Sequence, residues 1–235
     1  MAHGKRYRKQ ADKVQREHLY PPAEAISLIK ETASAGFDET VELHLRLGVN
    51  VRHAEEQLRG TLGLPHGLGK EVTIAVFAEG QQARDAEAAG ADFVGGQDLV
   101  EKVSEGWTDF DVAISTPDMM KAVGQLGRVL GPQGKMPNPK VGTVTEDIEK
   151  AVGESKAGKV EYRTDRQAIV HLAIGKASFE QQQLLENCLA VIDEVMRAKP
   201  SSSKGKYILS ATLTTTMGPG IHVDAGARTK EPAIA

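Results

Sequence analysis

Cysteine, aromatic residues and long apolar runs are scarce in this chain of 235 residues, and each scarcity excludes something. One cysteine rules out an intramolecular disulfide and suits a reducing compartment. That residue, Cys188, lies in "LLENCLAVIDEV" with Leu184, Leu185, Val191 and Ile192 at helical spacing, which points to a buried thiol. No apolar stretch approaches the roughly 20 residues of a membrane span. The opening "MAHGKRYRKQADK" is basic but lacks the apolar core of a secretory signal. The expectation is a cytoplasmic protein with no membrane partner. Positive charge is not in excess either: the formal net charge is −3.

The distribution of charge says more than its sum. Residues 67–159 carry −5 and the two flanking segments together +2. From Met119 to Thr145 there is no acid, while Lys121, Arg128, Lys135 and Lys140 are present. From Val195 to Val223 the same holds, with Arg197, Lys199, Lys204 and Lys206. The first thirteen residues set Lys5, Arg6, Arg8, Lys9 and Lys13 against Asp12 alone. Three acid-poor basic stretches in an acidic chain are candidate phosphate-facing patches; solvated surface charge is the plainer account of any one of them.

Hydropathy patterning divides the chain in three. At the start, "PPAEAISLIKETA" predicts a helix opened by prolines, and "TVELHLRLGV" alternates as a half-buried strand with Val41, Leu43, Leu45 and Leu47 inward. "GTLGLPHGLGK" reads as a glycine-rich loop. The middle switches rhythm. Buried strands at "VTIAVFA", "DFVGG" and "DVAIS" alternate with helices at "QQARDAEAAG", "QDLVEKVSEG" and "TPDMMKAVGQL", the signature of a parallel sheet with crossover helices. "GRVLGPQGKMPNPKVGT" is too rich in Gly and Pro for either element, and "TEDIEKAVGESK" returns to helix with Thr145 as its expected cap. The last third resumes alternation. "VEYRTDRQAIVHLAIG" reads as a hairpin, and "SFEQQQLLENCLAVIDEVMRAK" as a long amphipathic helix capped by Ser178. The resulting expectation is an α/β protein. Residues 1–66 and 160–235 form a discontinuous α+β domain I, and 67–159 an inserted Rossmann-like parallel α/β domain II. The tail from about residue 224 reads as disordered.

Catalytic motifs fall short. "VLGPQGKM" has Gly134-Lys135 of a phosphate loop, but Val129 stands where glycine is required and Met136 where a hydroxyl should bind magnesium. "GLGKEV" precedes its strand instead of following it. The seven histidines show no metal-ligand spacing; His44 and His171 fall on predicted strands. Asp109 and Asp111 lead into a strand, where turn and capping roles suit them better than a metal. No catalytic residue, metal site or cofactor is expected.

One strand stands apart. Through "YILSATLTTTMGPG", Tyr207, Leu209, Ala211, Leu213 and Thr215 share one face, and Ile208, Ser210, Thr212, Thr214 and Thr216 the other. The second face is mostly hydroxyls, with Lys204 and Lys206 just before it and a Gly-Pro-Gly turn exposing Met217 after it. Hydroxyls can donate to phosphate, sugar or base edges, and glycine admits close approach of a flat ligand.

The stretches "FDETVE" (37–42), "LPHGLGK" (64–70), "AGADFVGG" (89–96), "LGRVLGPQGKMPNPKVGTV" (126–144), "GKASF" (175–179) and "TTTMGP" (214–219) resemble the L-one family of large-subunit ribosomal proteins, the bacterial-type stalk protein beside the tRNA exit site. The resemblance runs from about residue 4 to residue 223. It implies the same discontinuous and inserted domains. It implies that domain I binds 23S rRNA of the large ribosomal subunit, that the protein assists release of deacylated exit-site tRNA, and that it represses its own operon mRNA. It implies a monomer when free. Carried over by motif, Phe37, Thr40 and Glu42, Lys176 and Ser178, and Thr216, Met217 and Gly218 border the RNA. Ser210 and Thr214 belong to the hydroxyl face, and Arg128, Lys135 and Lys140 form a secondary contact. Small polar groups and close backbone approach suit RNA, which is read by shape, 2′-hydroxyls and exposed bases. The alternative is a nucleotide- or small-molecule-binding enzyme using the middle domain; a DNA-binding repressor lacks a helix-turn-helix.

Overall fold

The computed structural model describes residues 4–226; the tail expected to be disordered lies, from 227 on, outside the described residues. In chain order the elements are α1 (Lys5–Ala11), α2 (Pro22–Thr32), β1 (Thr40–Leu47), β2 (Arg59–Gly63), β3 (Ile74–Phe77), α3 (Gln81–Ala88), β4 (Phe93–Gly95), α4 (Gln97–Ser104) and β5 (Val112–Ser115). There follow α5 (Met120–Val123), α6 (Gly127–Leu130), α7 (Ile148–Lys156), β6 (Lys159–Arg163), β7 (Ile169–Lys176), α8 (Gln181–Arg197), β8 (Ile208–Thr215) and β9 (Ile221–Val223). The chain divides into two compact units, Met1–Gly69 with Tyr162–Ala235, and Lys70–Glu161. The crossings thus fall at 69/70 and 161/162, against the 66/67 and 159/160 read from the glycines.

In the first unit an antiparallel sheet runs in the order β7-β1-β8-β9. Its inner face is aliphatic: Val41, Leu43 and Leu45 from β1, Val170 and Ile174 from β7, and Leu213 from β8 are fully buried. Helices α2 and α8 cover it with Ile26, Ile29, Leu184, Cys188, Val191 and Val195, all fully buried. Each such side chain contributes about 1.5–3 kcal/mol relative to exposure. Period-two alternation in the strands and a 3.6-residue stripe in α8 are therefore two halves of one core. The outer face of the sheet is mostly polar, with Glu42, His44, Arg46, His171, Thr212 and Thr214 on it.

Several local expectations are corrected. Residues 59–63 form β2, which pairs with β6, so the predicted hairpin of β6 with β7 is reduced to a single Thr164–Val170 bridge. The Thr164 N–H goes instead to the Leu58 carbonyl at 3.0 Å, drawing the two strands into different sheets. Strand β2 escaped notice because its glycines read as loop; Gly60 lets the backbone lie against the Tyr162 ring, where an added Cβ would sit 2.6 Å from the phenolic oxygen. In β8 the register slips between Arg46 and Leu47, so that Arg46 pairs with Ser210 but Leu47 with Ile208. This bulge turns Leu209 out to 44% exposure and Ile208 in, opposite to simple alternation. Helix α8 is capped by Glu180 in a reciprocal capping box with Gln183, not by Ser178. Asp147 caps α7, while the Thr145 hydroxyl accepts from the Asp147 N–H.

The second unit is a parallel sheet in the order β4-β3-β5. Strand β3 is buried on both faces. Ala75 and Phe77 join Leu99, Val103, Phe110, Val123 and Leu130 on one side. Ile74 and Val76 join Ala86, Ile114, Ile148 and Val152 on the other. This is a three-layer α/β arrangement, and with the first unit it gives the chain an α/β fold. The Gly/Pro-rich stretch expected as loop contains α6 and a short 3-10 turn at Pro139–Val141.

Candidate nucleic-acid interface

One end of the first unit's sheet gathers segments far apart in sequence. Thr40 pairs with Lys176, and Val41 with Thr215, so the start of β1 and the ends of β7 and β8 lie side by side. The loop before β1 exposes Phe37 to 56%, and the turn after β8 exposes Met217 to 62%. These are two of the five large hydrophobic side chains exposed among the described residues, and they sit on neighbouring tips of this end.

Between them runs a polar seam. The Thr216 N–H donates to the Thr40 carbonyl at 3.1 Å, and the Thr40 N–H donates to the Thr216 hydroxyl at 3.0 Å. The Lys176 ammonium donates to the Thr40 hydroxyl at 2.9 Å. Ser178 donates through its N–H and its hydroxyl to the two carboxylate oxygens of Asp38, at 3.0 and 2.7 Å. The role expected of Ser178 as a helix cap thus gives way to a tie between the β7 end and the Phe37 loop. Gly218 is dictated by packing inside the turn, not by room left for a ligand: an added Cβ would come within 2.3 Å of the Thr215 hydroxyl oxygen.

The residue that sequence reading missed is Glu39. It is 1% exposed, yet its carboxylate accepts from Ser34 N–H at 2.8 Å and Ala35 N–H at 2.7 Å on one oxygen, and from Met217 N–H at 2.9 Å on the other. Burial pushes its pKa up, but the donors from Met217, Ala35 and Ser34 outweigh burial and hold it below the ordinary glutamate value. The Thr215 hydroxyl acts in the same direction, although it makes no hydrogen bond of ordinary geometry. An acid in "FDET" carries no sign in sequence that it will be buried; its signal is only the orphan N–H groups that the fold later presents.

From this end the outer face of the sheet extends as a polar row. Glu42 lies opposite Thr214, His44 opposite Thr212, and Arg46 opposite Ser210. His44 and His171 bring their Nδ1 atoms to 2.8 Å, and His222 Nδ1 lies 3.2 Å from the Thr212 hydroxyl. The His44 pKa is lowered by burial and by His171, against an opposing pull from Glu42. Thr214 and Glu42 adjoin the tips; Ser210 stands at the other end of the row, about 20 Å along the strand from Thr216 at the usual rise per residue. The acid-free window of residues 195–223 is therefore not acid-free in space, since Glu39 and Glu42 of β1's segment lie beside it.

Basic charge reaches the tips from elsewhere. Helix α1 carries Lys5, Arg6, Arg8 and Lys9, and the Arg6 guanidinium donates to the Ser34 hydroxyl at 3.1 Å, beside the Phe37 loop. At the far end of the sheet, Arg52, Arg163 and Arg166 line one cleft with Asp165; sequence reading had not singled them out. In the second unit Arg128 and Lys140 are exposed, whereas the Lys135 ammonium donates to the Thr108 carbonyl at 2.9 Å and lies over the Phe110 ring. Among the described residues no group of three or more His, Cys, Asp or Glu is placed to hold a metal, and no helix is long and apolar enough to cross a membrane.

Exposed apolar tips, hydroxyls and surface cations make this edge a candidate contact surface, and Cys188 lies buried with its thiol pushed up to about 12. Comparison with known sequences gives the family. The family described as Ribosomal protein L1p/L10e matches residues 29–219. The "Large ribosomal subunit protein uL1" of Thermobifida fusca is 57% identical over 235 residues, 100% of both chains. Proteins of the same name from Beutenbergia cavernae and Salinispora tropica are 57% and 54% identical over 224 residues, covering 95% of this chain and 94% of theirs. The chain belongs to the L1p/L10e family of ribosomal proteins, a structural family and not one of enzymes. The alternative of an enzyme built on the middle unit falls with that finding.

Proposed function

We propose that this protein is an rRNA-binding constituent of the large ribosomal subunit, located at the ribosome in the cytoplasm, and that the tip end of its discontinuous first unit is the recognition surface. Support comes from the names of its relatives and from the convergence of three segments, 34–40, 176–178 and 214–218, on one exposed edge. The carrying observation is that Phe37 and Met217 stand exposed on either side of a seam of hydroxyl and backbone groups. Flat sugars and bases can pack on the two apolar side chains while 2′-hydroxyls meet Thr40, Ser178, Thr214 and Thr216. Lys176 and the cations of α1 supply phosphate contacts, and Gly218 lets the turn that carries Met217 pack against Thr215. Glu42, on the same face, is an acceptor for sugar hydroxyls or base amines.

The RNA is 23S rRNA. By the same edge the protein represses its own operon mRNA, which need only present a similar fold. At the subunit it assists release of deacylated tRNA from the exit site, with Arg128, Lys135 and Lys140 of the inserted unit as secondary contacts. The free protein is a monomer. Filter binding to fragments of 23S rRNA tests the reading: nanomolar-range affinity for one structured fragment, and none for scrambled RNA, is expected. Equal affinity for both would overturn it.

A further inference from the structure

We infer that Glu39 is the positioning residue of the RNA edge, a buried carboxylate that sets the Phe37 and Met217 tips in register with each other. The inference rests on the reading of that edge as the RNA surface. Glu39 makes no contact with solvent to speak of, at 1% exposure, so it acts through what it holds. Its two oxygens divide the work: one accepts from Ser34 and Ala35, three and two residues before Phe37, and the other from Met217 itself. Its own backbone carbonyl accepts from Ala177 N–H at 2.8 Å, between Lys176 and Ser178. One residue therefore touches all three converging segments. The neighbouring Asp38 adds the Ser178 tie from the outer side.

Each of these N–H groups points into protein at a loop, where no strand partner is available. Without the acceptor they would lose their partner at a partly buried site, and the loops would open to hydrate them. The ionised carboxylate is suited to this because it offers acceptors only, enough for three donors at once. Glutamine cannot replace it. An amide with its oxygen toward Ser34 and Ala35 presents N–H groups to Met217 N–H, and the flipped amide presents them to the loop. In either orientation one tip is released. Aspartate is shorter by one methylene and reaches one tip alone.

The test is a pair of double-mutant cycles on the full chain, read as affinity for a 23S rRNA fragment by filter binding. All measurements are made well below each variant's unfolding midpoint, so that loss of folded protein does not enter. Glu39→Gln should weaken binding by about tenfold or more. In a Met217→Ala or Phe37→Ala background, whichever tip the amide releases, the same change should cost less than about threefold, because the tip it positions is already gone. A residue that merely stabilises the fold would give additive losses in both cycles, and additivity in both overturns the inference. Unchanged affinity in Glu39→Gln overturns it as well. If Phe37→Ala and Met217→Ala each bind normally, it is the reading of the edge itself that fails.

Discussion

Thr40 and Thr216 hold each other across 176 residues of chain: each donates its backbone N–H to the other, one to a carbonyl and one to a hydroxyl. The Thr216 side chain is thus part of the sheet's last rung as well as part of its exposed edge. From sequence alone the Thr216 hydroxyl is expected only to border the RNA. The seam changes that expectation. Thr216→Val should lower unfolding free energy by about 0.5 kcal/mol, since the Thr40 N–H it abandons can still reach water. Thr216→Ser should restore it. Urea denaturation of the three proteins, beside their RNA affinities, separates the two roles of the hydroxyl.

Gly218→Ala places a Cβ 2.3 Å from the Thr215 hydroxyl, so the turn must shift. A loss of about 1–3 kcal/mol is expected, with weakened RNA binding because Met217 moves with the turn. Removing the obstacle gives the control: Thr215→Ala with Gly218→Ala should recover most of the loss. A double variant as unstable as the single one would mean that the strain lies elsewhere.

The sheet's outer face should respond to pH through His44. Its folded pKa is lowered, first by burial and then by His171, so the unfolded chain binds the proton more readily. The contribution is fully present above the unfolded value near 6.5 and is lost as pH falls through the lowered folded value. Glu39, also lowered, acts in the same direction in a more acidic window, below its unfolded value of 4.5. Stability measured from pH 8 to pH 5.5 should decline, and His44→Gln should flatten that limb. An unchanged slope in the variant would remove His44 from the account.

Cys188 is fully buried and its thiol is pushed up to about 12 by desolvation, so little thiolate forms at neutral pH. Native protein at pH 8 should resist a thiol-specific reagent for as long as it stays folded. Its labelling rate should rise only with denaturant. Fast labelling of native protein would show that α8 opens more readily than its packing implies.

What could be read without a structure follows the reach of the physics involved. Periodicity is local and repeats, so β1, the Ile208–Thr215 strand, α8 and the βα rhythm of the middle unit were all visible. Features set by a partner elsewhere in the chain were not. Leu209 turns outward because Leu47 pairs with Ile208, and that slip belongs to β1 and β8 together. Glycines hid β2 because the reason for Gly60, the Tyr162 ring, lies about a hundred residues on. Ser178 is a good cap residue by type, but Asp38 claims it, and Glu180 takes the cap. The candidate site divides in the same way. Phe37 and Met217 were found by motif, and both are exposed. Glu39, which holds their loops, shows its role only when Ser34 and Met217 arrive on either side of it.

RNA recognition is proposed to lie on the tips of the first unit, not on the cations of the second. The direct measurement is the affinity of two full-length double variants for the same 23S rRNA fragment. Phe37→Ala with Met217→Ala should weaken binding by about a hundredfold, two stacking or packing contacts being lost together. Arg128→Ala with Lys140→Ala, both exposed in the second unit, should cost less than about tenfold at moderate salt and make the log–log salt slope shallower by about two. The reverse order, with the tip variant binding normally and the cation variant losing most of its affinity, would contradict the account.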